Sequence, residues 1–339
     1  MLPAHLFHPT PHVQATQKRL VNPMKSAFSL FSCPLPARIP FFRTSVAPWL
    51  MSLVVLTAGG VSHVRAADEP QEPAAEAPAE EPAPPAKLFP DPGLEAAVRA
   101  EVYEKRYNEE PLTADDVKNI SRVIGRGKGI KSLAGIENCV AVMLVDLADN
   151  EIEDLEPLAK LSRLQSVTLA GNRIQDLKPL QGLTAVQLLD LSRNKVTDLS
   201  PLGEMSNLRT LYVANNRLKS LEPIAGLSKI WSLDASGNRL TRLEPVSGLS
   251  WLTMLDLRNN AVESLAPLTT LRELDFLLLT DNLIVDLAPL VEMCKADAEG
   301  EKRFAPYLKL YVGDNPLSEA AAGEQMEALK QAGVKIFLE

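Results

Sequence analysis

The stretch LQSVTLAGNRIQDLKPL, residues 164–180, decides the fold because it recurs, residue class for residue class, along most of the chain. Each copy follows the pattern L-x-x-L-x-L-x-x-N-x-I-x-x-L-x-P-L-x-x-L. An asparagine returns every 22 residues, and once more after 33 residues, in the series Asn150, Asn172, Asn194, Asn216, Asn238, Asn260, Asn282 and Asn315. A fixed period in this range predicts a solenoid, in which one unit has no core alone and stacked units share one.

The spacing inside one unit predicts its local structure. Val167 and Leu169 alternate with small or polar residues, as in a short strand with one apolar side, and neighbouring strands should pair as one parallel sheet at roughly 4.8 Å per coil. The asparagine falls where the chain turns away from the sheet. Its amide can donate to and accept from backbone groups of adjacent coils that would otherwise be buried unpaired, so we predict a structural asparagine ladder. Proline recurs near the start of the next helical turn, at positions 157, 179, 201, 223, 245, 267 and 289, and we expect it at the first residue of that turn.

These residues, together with the D-L-x-P-L element at Asp154, Asp176, Asp198 and Asp286, resemble the proline-containing repeats of internalin-type leucine-rich-repeat proteins, which occur in bacterial surface proteins. The resemblance covers residues 88–339. It implies an α/β repeat solenoid: a leucine-rich-repeat right-handed superhelix with a parallel sheet on the concave face, a helical N-terminal cap and a helix–strand C-terminal cap. For function, it suggests adhesion or surface binding.

The two ends of the repeat region match such caps. Asp91 is placed as a helix N-cap before Pro92, and Thr113 begins a capping-box-like TADD, so residues 88–128 are predicted to form the N-terminal cap and a transitional repeat. The leucine-rich repeats then occupy 129–317, with a charged insertion at about 294–306 that we expect to form a loop. Residues 318–339 predict the C-terminal cap, a helix stopped by Gly333 and an edge strand.

The N-terminal segment has the features of an export signal. Residues 1–66 contain all four histidines and six of the 35 basic residues, but none of the 43 acidic residues. An apolar run at 49–61 is followed by VRA before Ala67, which predicts a signal peptide cleaved after Ala66; an uncleaved run would anchor the chain in a membrane. Met1 and Met24 both stay open as the start. Residues 67–87 consist almost wholly of Ala, Pro and Glu and are predicted to be a disordered linker.

Charge and residue inventory exclude several function classes. Residues 67–339 carry 29 basic and 43 acidic residues, a formal charge of −14, which argues against nucleic acid as a partner. No histidine follows residue 66, so Ser–His and Cys–His pairs and histidine zinc sites are missing. Cys139 falls at a core position some seven units from Cys294, too far for a disulfide. We expect no enzymatic activity, no cofactor and no metal site. An enzymatic function would need Cys294 as a nucleophile without a base.

The outward positions of the strands predict where a binding surface lies. Aromatic and acidic side chains alternate there, which is typical of protein recognition, and the predicted binding residues are Asp190, Tyr212, Asp234, Met254, Asp256, Phe276 and Tyr311. Asp234 and Asp256 should face each other on adjacent strands, where like charges destabilise. A cation, a basic partner or Arg258 could neutralise them; calcium suits the oxygens, but EF-hand-like spacing is missing.

Two functions are left open by the sequence. In the first, the chain is an exported, extracytoplasmic monomer that recognises a protein, or a glycan, through the sheet. In the second, it is a cytosolic scaffold regulating an intracellular enzyme such as a phosphatase, because similar 22-residue repeats occur in an intracellular phosphatase regulator. The predicted signal favours the first. The chain ends at its cap without a sorting motif, so covalent attachment to a cell wall is not expected.

Overall fold

The computed structural model describes residues 87–338. The predicted signal peptide and the predicted linker up to residue 86 lie outside the described residues.

The described residues form one parallel sheet in which every strand pairs with the next strand along the chain. Each strand is three residues long, and its partner in the next coil lies 22 residues further on until the insertion after β8. The strands are β1 (Arg122–Ile124), β2 (Leu144–Asp146), β3 (Ser166–Thr168), β4 (Leu188–Asp190), β5 (Thr210–Tyr212), β6 (Ser232–Asp234), β7 (Met254–Asp256), β8 (Phe276–Leu278), β9 (Lys309–Tyr311) and β10 (Lys335–Phe337). The predicted repeat solenoid is confirmed.

Alternation within each strand separates the core from the open side of the sheet. In β3, Val167 is buried while Ser166 and Thr168 are partly exposed, and Leu169 just after the strand is buried again. The other repeats place Leu or Val at the same inward positions, so a single apolar core runs from the first coil to the last. Because each coil buries its apolar side chains against its neighbours, the coils stabilise one another and no coil has a separate core.

A short 3-10 turn follows each strand from β1 to β7 on the side of the coil opposite the sheet. The turns are Ile136–Asn138, Glu156–Leu158, Lys178–Leu180, Ser200–Leu202, Glu222–Ile224, Glu244–Gly248 and Ala266–Thr270. The recurrent proline is the second residue of its turn, as Pro179 shows, and not the first as predicted. Asp176 Oδ1 accepts a hydrogen bond from the Lys178 N–H at 2.9 Å and so covers an amide that the first position leaves open.

The ladder asparagines bind the backbone of two coils. Asn216 Oδ1 accepts from the Val196 N–H at 2.9 Å, and its Nδ2 donates to the carbonyls of Leu191 at 2.9 Å and Val213 at 3.0 Å. The other members from Asn150 to Asn282 have the same three partners, which lie 20, 25 and 3 residues earlier. Asn315 does the same across the insertion, with Ile284 and Leu279.

A left-handed backbone conformation precedes each of these asparagines. The residue before the asparagine has a φ between 52° and 67° in every coil: Asp149, Gly171, Arg193, Asn215, Gly237, Asn259, Asp281 and Asp314. Glycine, asparagine and aspartate tolerate this region best. Arg193 is the member of the series whose residue type is ill suited to it.

The N-terminal cap follows the capping signals of the sequence. Helix α1 (Pro92–Arg99) begins after Asp91, whose carboxylate accepts from the Gly93 and Leu94 N–H groups at 2.9 and 3.1 Å. The other carboxylate oxygen accepts from backbone N–H groups at 131 and 132, which ties the helix to the first coil. Helix α2 (Ala114–Val117) has the predicted capping box between Thr113 and Asp116.

The insertion corrects one expectation, because its first half is helical rather than a charged loop. Helix α3 (Ala288–Glu299) buries Leu290, Met293, Cys294 and Asp297, which recur at helical spacing on one face. The carboxylate of Asp297 accepts from the backbone N–H groups of residues 303, 304 and 305 at 2.9–3.1 Å and so organises the turn that returns to β9. The many charged residues of this segment obscure its helical apolar pattern in the sequence.

The C-terminal cap closes the last coil. A π-helical turn at Ala321–Gln325 leads into helix α4 (Met326–Gln331), Gly333 reverses the chain at φ 97°, and β10 pairs with β9. A helix and an edge strand are therefore present as predicted. Among residues 87–338, no helix has both the length and the apolar content needed to cross a membrane.

Candidate functional site

The open face of the sheet carries the first and third side chains of the strands, which point away from the core. The first positions from β2 onward are Leu144, Ser166, Leu188, Thr210, Ser232, Met254, Phe276, Lys309 and Lys335, and the third are Asp146, Thr168, Asp190, Tyr212, Asp234, Asp256, Leu278, Tyr311 and Phe337. All seven predicted binding residues lie in these two rows. They divide into an acidic group on β4–β6 and a mainly apolar group on β7–β9.

Tyr212 lies between two carboxylates in the acidic group. It is paired in register with Asp190 on one side and Asp234 on the other. Burial raises the pKa of the Tyr212 phenol, the two carboxylates raise it further, and a hydrogen bond with Ser232 opposes them. The phenol therefore stays protonated, and this part of the face offers a hydroxyl group flanked by negative charge.

The two carboxylates predicted to face each other do so, in register on β6 and β7. Burial, and next the charge of Asp256, raise the pKa of Asp234, although the Ser236 hydroxyl and N–H donate to its Oδ1 at 2.7 and 3.0 Å. Asp256 is only 1% exposed. The Arg258 guanidinium donates hydrogen bonds to its carboxylate, with Nη2 2.6 Å from Oδ2 and Nε 3.0 Å from both oxygens.

This geometry changes the role of Asp256. A carboxylate that is buried and paired in this way cannot reach a partner, so Asp256 positions Arg258, whose side chain is 45% exposed. Among the described residues no group of three or more His, Cys, Asp or Glu side chains could hold a metal ion. The Arg258 guanidinium thus neutralises Asp256 from within the chain.

Aromatic side chains cluster at the C-terminal end of the open face. The rings of Tyr311 and Phe337 stack with centroids 4.5 Å apart and planes 12° from parallel, and Lys309 Nζ lies 4.5 Å from the centroid of the Phe276 ring. Phe276 is 37% and Phe337 39% exposed. We call this cluster the aromatic patch; it comprises Met254, Phe276, Leu278, Lys309, Tyr311 and Phe337.

Two features of the patch were absent from the predicted binding residues. Phe337 extends the row of third positions by one strand beyond Tyr311, as the register shows. Continuing the row of third positions from Tyr311 into the predicted edge strand identifies Phe337. The contact of Lys309 with Phe276 spans 33 residues and has no local signal in the sequence.

Both cysteines of the described residues lie in the core. Cys139 and Cys294 are both buried and free, and burial raises the pKa of each thiol to about 12. The raised pKa disfavours the thiolate, which is the reactive species. The buried thiol of Cys294 therefore gives no support to an enzymatic function.

The chain is similar to known repeat proteins. The family model for leucine-rich repeats, in two copies, matches residues 184–227. An internalin C2 from Listeria monocytogenes is 32% identical with a TM-score of 0.58, and the match covers 61% of this chain and 91% of that one. A functional domain of InlJ from Listeria monocytogenes that includes a cysteine ladder is 21% identical with a TM-score of 0.51, covering 68% of this chain and 52% of that one. No curated protein matches.

Proposed function

The chain belongs to the internalin-type leucine-rich-repeat proteins, and from this premise we propose that it is an exported, non-enzymatic protein that recognises a protein partner through the open face of its sheet. Proteins with leucine-rich repeats bind protein partners. In this proposal the chain acts outside the cytoplasm, its partner is a protein, and the aromatic patch is the centre of the contact.

The aromatic patch carries the proposal. Phe276, Tyr311 and Phe337 lie outside the core, so their side chains contribute little to folding. They leave apolar area in contact with water. Clustered aromatic side chains of this kind are enriched at the centres of protein interfaces, where they supply most of the binding free energy. They are held in place by strand pairing, so little conformational entropy is lost when a partner binds.

The charges around the patch define what the partner should offer. Lys309 lies against Phe276, and Arg258 is exposed on the preceding coil. The complementary surface is an apolar projection flanked by carboxylates, because cations at the rim select a partner of opposite charge. The acidic group around Tyr212, further along the same face, would in turn select a basic segment of the same partner.

Export rests on the sequence of residues 1–66, and a monomer is proposed because the open face is then free for a partner. The intact mass of the chain recovered from fractionated cells of the source organism tests export. A chain that begins at Ala67 in an extracytoplasmic fraction supports it. A longer chain in the cytosol would contradict it and favour the intracellular scaffold.

Site-specific photo-crosslinking of the full chain in its own cells tests the contact centre. A photoreactive phenylalanine analogue replaces Phe276 or Phe337 in the patch, or Val140 or Trp251, which are exposed apolar residues away from the open face. We expect one protein adduct from the two patch positions and none from the two controls. Adducts at the controls alone, equal adducts at all four positions, or a carbohydrate adduct at the patch would contradict a protein contact there.

A further inference from the structure

Basic residues are segregated on the loops that leave the C-terminal ends of the middle strands. Four loop segments, 171–175, 193–197, 215–219 and 237–241, contain no acidic residue, although residues 67–339 carry a formal charge of −14. Their basic residues, which we call the basic stripe, are Arg173, Arg193, Lys195, Arg217, Lys219 and Arg239. The equivalent segments on either side are acidic: 149–153 holds three carboxylates, and 259–263 holds Glu263 without a basic residue.

The backbone places four of these residues in one row. The N–H groups of Arg173, Lys195, Arg217 and Arg239 donate, each at 2.9 Å, to the carbonyl of the residue one coil back, namely Ile152, Ile174, Val196 and Leu218. Each side chain therefore starts one coil from the next, roughly 4.8 Å, the usual spacing of hydrogen-bonded strands. All four are exposed.

Most of the charge of the stripe is free for a ligand. At one end Arg173 pairs with Glu151 at 2.8 Å, and Arg193 pairs with Asp149 at 2.7 Å. Lys195, Arg217, Lys219 and Arg239 make no ion pair or side-chain hydrogen bond with any residue between 87 and 338. Asp176 and Asp198, which follow Arg173 and Lys195 by three residues, use their Oδ1 atoms to cap the following 3-10 turns.

We propose that the basic stripe binds a linear acidic polysaccharide. Like charges held one coil apart repel each other, and an anionic ligand that spans the row relieves the repulsion. A polysaccharide with one acidic group per sugar offers a dense row of anions to these cations. Arginine suits such a ligand, since its planar guanidinium binds two oxygens of a carboxylate or sulfate together.

The row of cations is a poor match for an extended acidic peptide. In an extended peptide, side chains on one side recur every second residue, roughly 6.6 Å apart, which falls out of step with coils at roughly 4.8 Å. A stiff polymer also loses little conformational entropy on binding. The stripe lies beside the open face and shares no residue with the aromatic patch, so this ligand is independent of the proposed protein partner.

Binding by the full chain to four polyanions tests the inference: heparin, polygalacturonate, poly-L-glutamate and oligodeoxythymidylate, measured by calorimetry at near-physiological salt. The stripe variant R217E/R239E is compared with K160E/R163E, which makes the same change of net charge at two exposed positions outside the stripe. We expect the wild type to bind at least one of the two polysaccharides most tightly, with an affinity that falls as salt rises. The stripe variant should lose at least tenfold and the control less than twofold.

Three results would overturn the inference. One is the absence of measurable polysaccharide binding by the wild type. Another is an equal loss in both variants, because net charge alone would then explain the binding. The third is tighter binding of poly-L-glutamate or oligodeoxythymidylate, which would assign the stripe to an acidic protein or a nucleic acid. Equal melting temperatures of the variants, measured by circular dichroism, exclude unfolding as the cause of a loss.

Discussion

Arg193 forms an ion pair with Asp149 across an entire intervening coil, with Nη2 2.7 Å from Oδ1. The two residues occupy equivalent positions two repeats apart, and Gly171 holds the same position between them. A Cβ on Gly171 would lie 2.5 Å from Asp149 Oδ1 and 3.2 Å from Arg193 Nη2. The pair is therefore possible because the middle repeat has no side chain, and it gives Arg193 a compensating contact in a left-handed conformation.

The first prediction separates the steric contribution of Gly171 from its conformational one. Gly171→Ala places a methyl group against the ion pair at φ 67°, and we expect it to lower the free energy of unfolding by about 1–3 kcal/mol. Gly182→Ala has φ 86° but open space around the Cβ and should cost about 1 kcal/mol. Gly226→Ala has neither feature and should be neutral or slightly stabilising. Urea unfolding gives the order, and equal losses at 171 and 182 would show that the ion pair does not restrict Gly171.

The second prediction concerns the asparagine ladder. Asn216→Ala removes one acceptor and several donor contacts at a buried position and leaves backbone groups of two coils unpaired. We expect a loss of ~1 to 3 kcal/mol in the free energy of unfolding. Asn207→Ala removes two exposed contacts, one to the Thr184 carbonyl and one from Lys229 Nζ, and should change it by less than about 0.5 kcal/mol. Thermal denaturation of the two variants compares them, and unchanged stability of Asn216→Ala would refute a structural role of the ladder.

Much of the fold could be predicted because the signals are local and repeated. The alternation around Val167, the turn at Asn172 and the cap at Asp91 each depend on neighbouring residues, so a short stretch of sequence is sufficient. Helix α3 was missed because its periodic apolar residues, Leu290, Met293 and Cys294, are interspersed with charged residues, and an insertion interrupts the period that guided the other coils.

The candidate site was less predictable because its contacts join distant positions. The rows of the open face follow from the period, but the Lys309–Phe276 and Tyr311–Phe337 contacts depend on how the insertion and the cap restore the register. The sequence also does not show which of two equivalent carboxylates is buried. Asp234 and Asp256 occupy equivalent positions, yet Asp256 is covered by Arg258, whereas Asp234 has Ser236 at the equivalent place.

The third prediction tests the pairing of Arg258 with Asp256. Arg258→Ala leaves a buried carboxylate without its cation, and we expect a loss of about 2–4 kcal/mol, somewhat less than for a fully buried pair since Arg258 is half-exposed. The double variant D256L/R258A should recover most of the loss. Leu278 occupies the equivalent third position in β8, and alanine follows two residues later in other coils, as at Ala214. Chemical denaturation measures both variants, and a double variant as unstable as the single one would mean that the carboxylate is not the source of the loss.

The fourth prediction concerns the pH dependence of stability at Asp234. Burial and Asp256 raise its pKa above the ordinary value of 3.8, so the native state binds this proton more tightly than the unfolded state does. Stability must then fall as the pH rises from 3.8 through the raised value. Asp234→Asn retains the acceptor for Ser236 and has no charge, so it should be more stable than the wild type at neutral pH, and the difference should vanish in acid.

Asp198 provides the control of opposite sign. Hydrogen bonds from the Ser200 hydroxyl and N–H lower the pKa of Asp198, so its contribution is present above pH 3.8 and is lost as the pH falls through the lowered value. Asp198→Asn should therefore be slightly less stable than the wild type at neutral pH and converge with it in acid. Melting temperatures between about pH 3 and about pH 7 check both variants. Parallel curves for wild type and Asp234→Asn would contradict a raised pKa.

The last prediction distinguishes the aromatic patch from the core with two adjacent residues of β8. Leu277 is fully buried, and Leu277→Ala should lower the free energy of unfolding by about 2–5 kcal/mol through lost burial and the cavity left behind. Phe276 points away from the core, and Phe276→Ala should lower it by less than about 1 kcal/mol, the contribution expected of a partly exposed contact with Lys309. A large loss for Phe276→Ala would mean that the ring stabilises the solenoid. A small loss would show that the exposed ring contributes little to folding, as we expect of a residue that binds a partner.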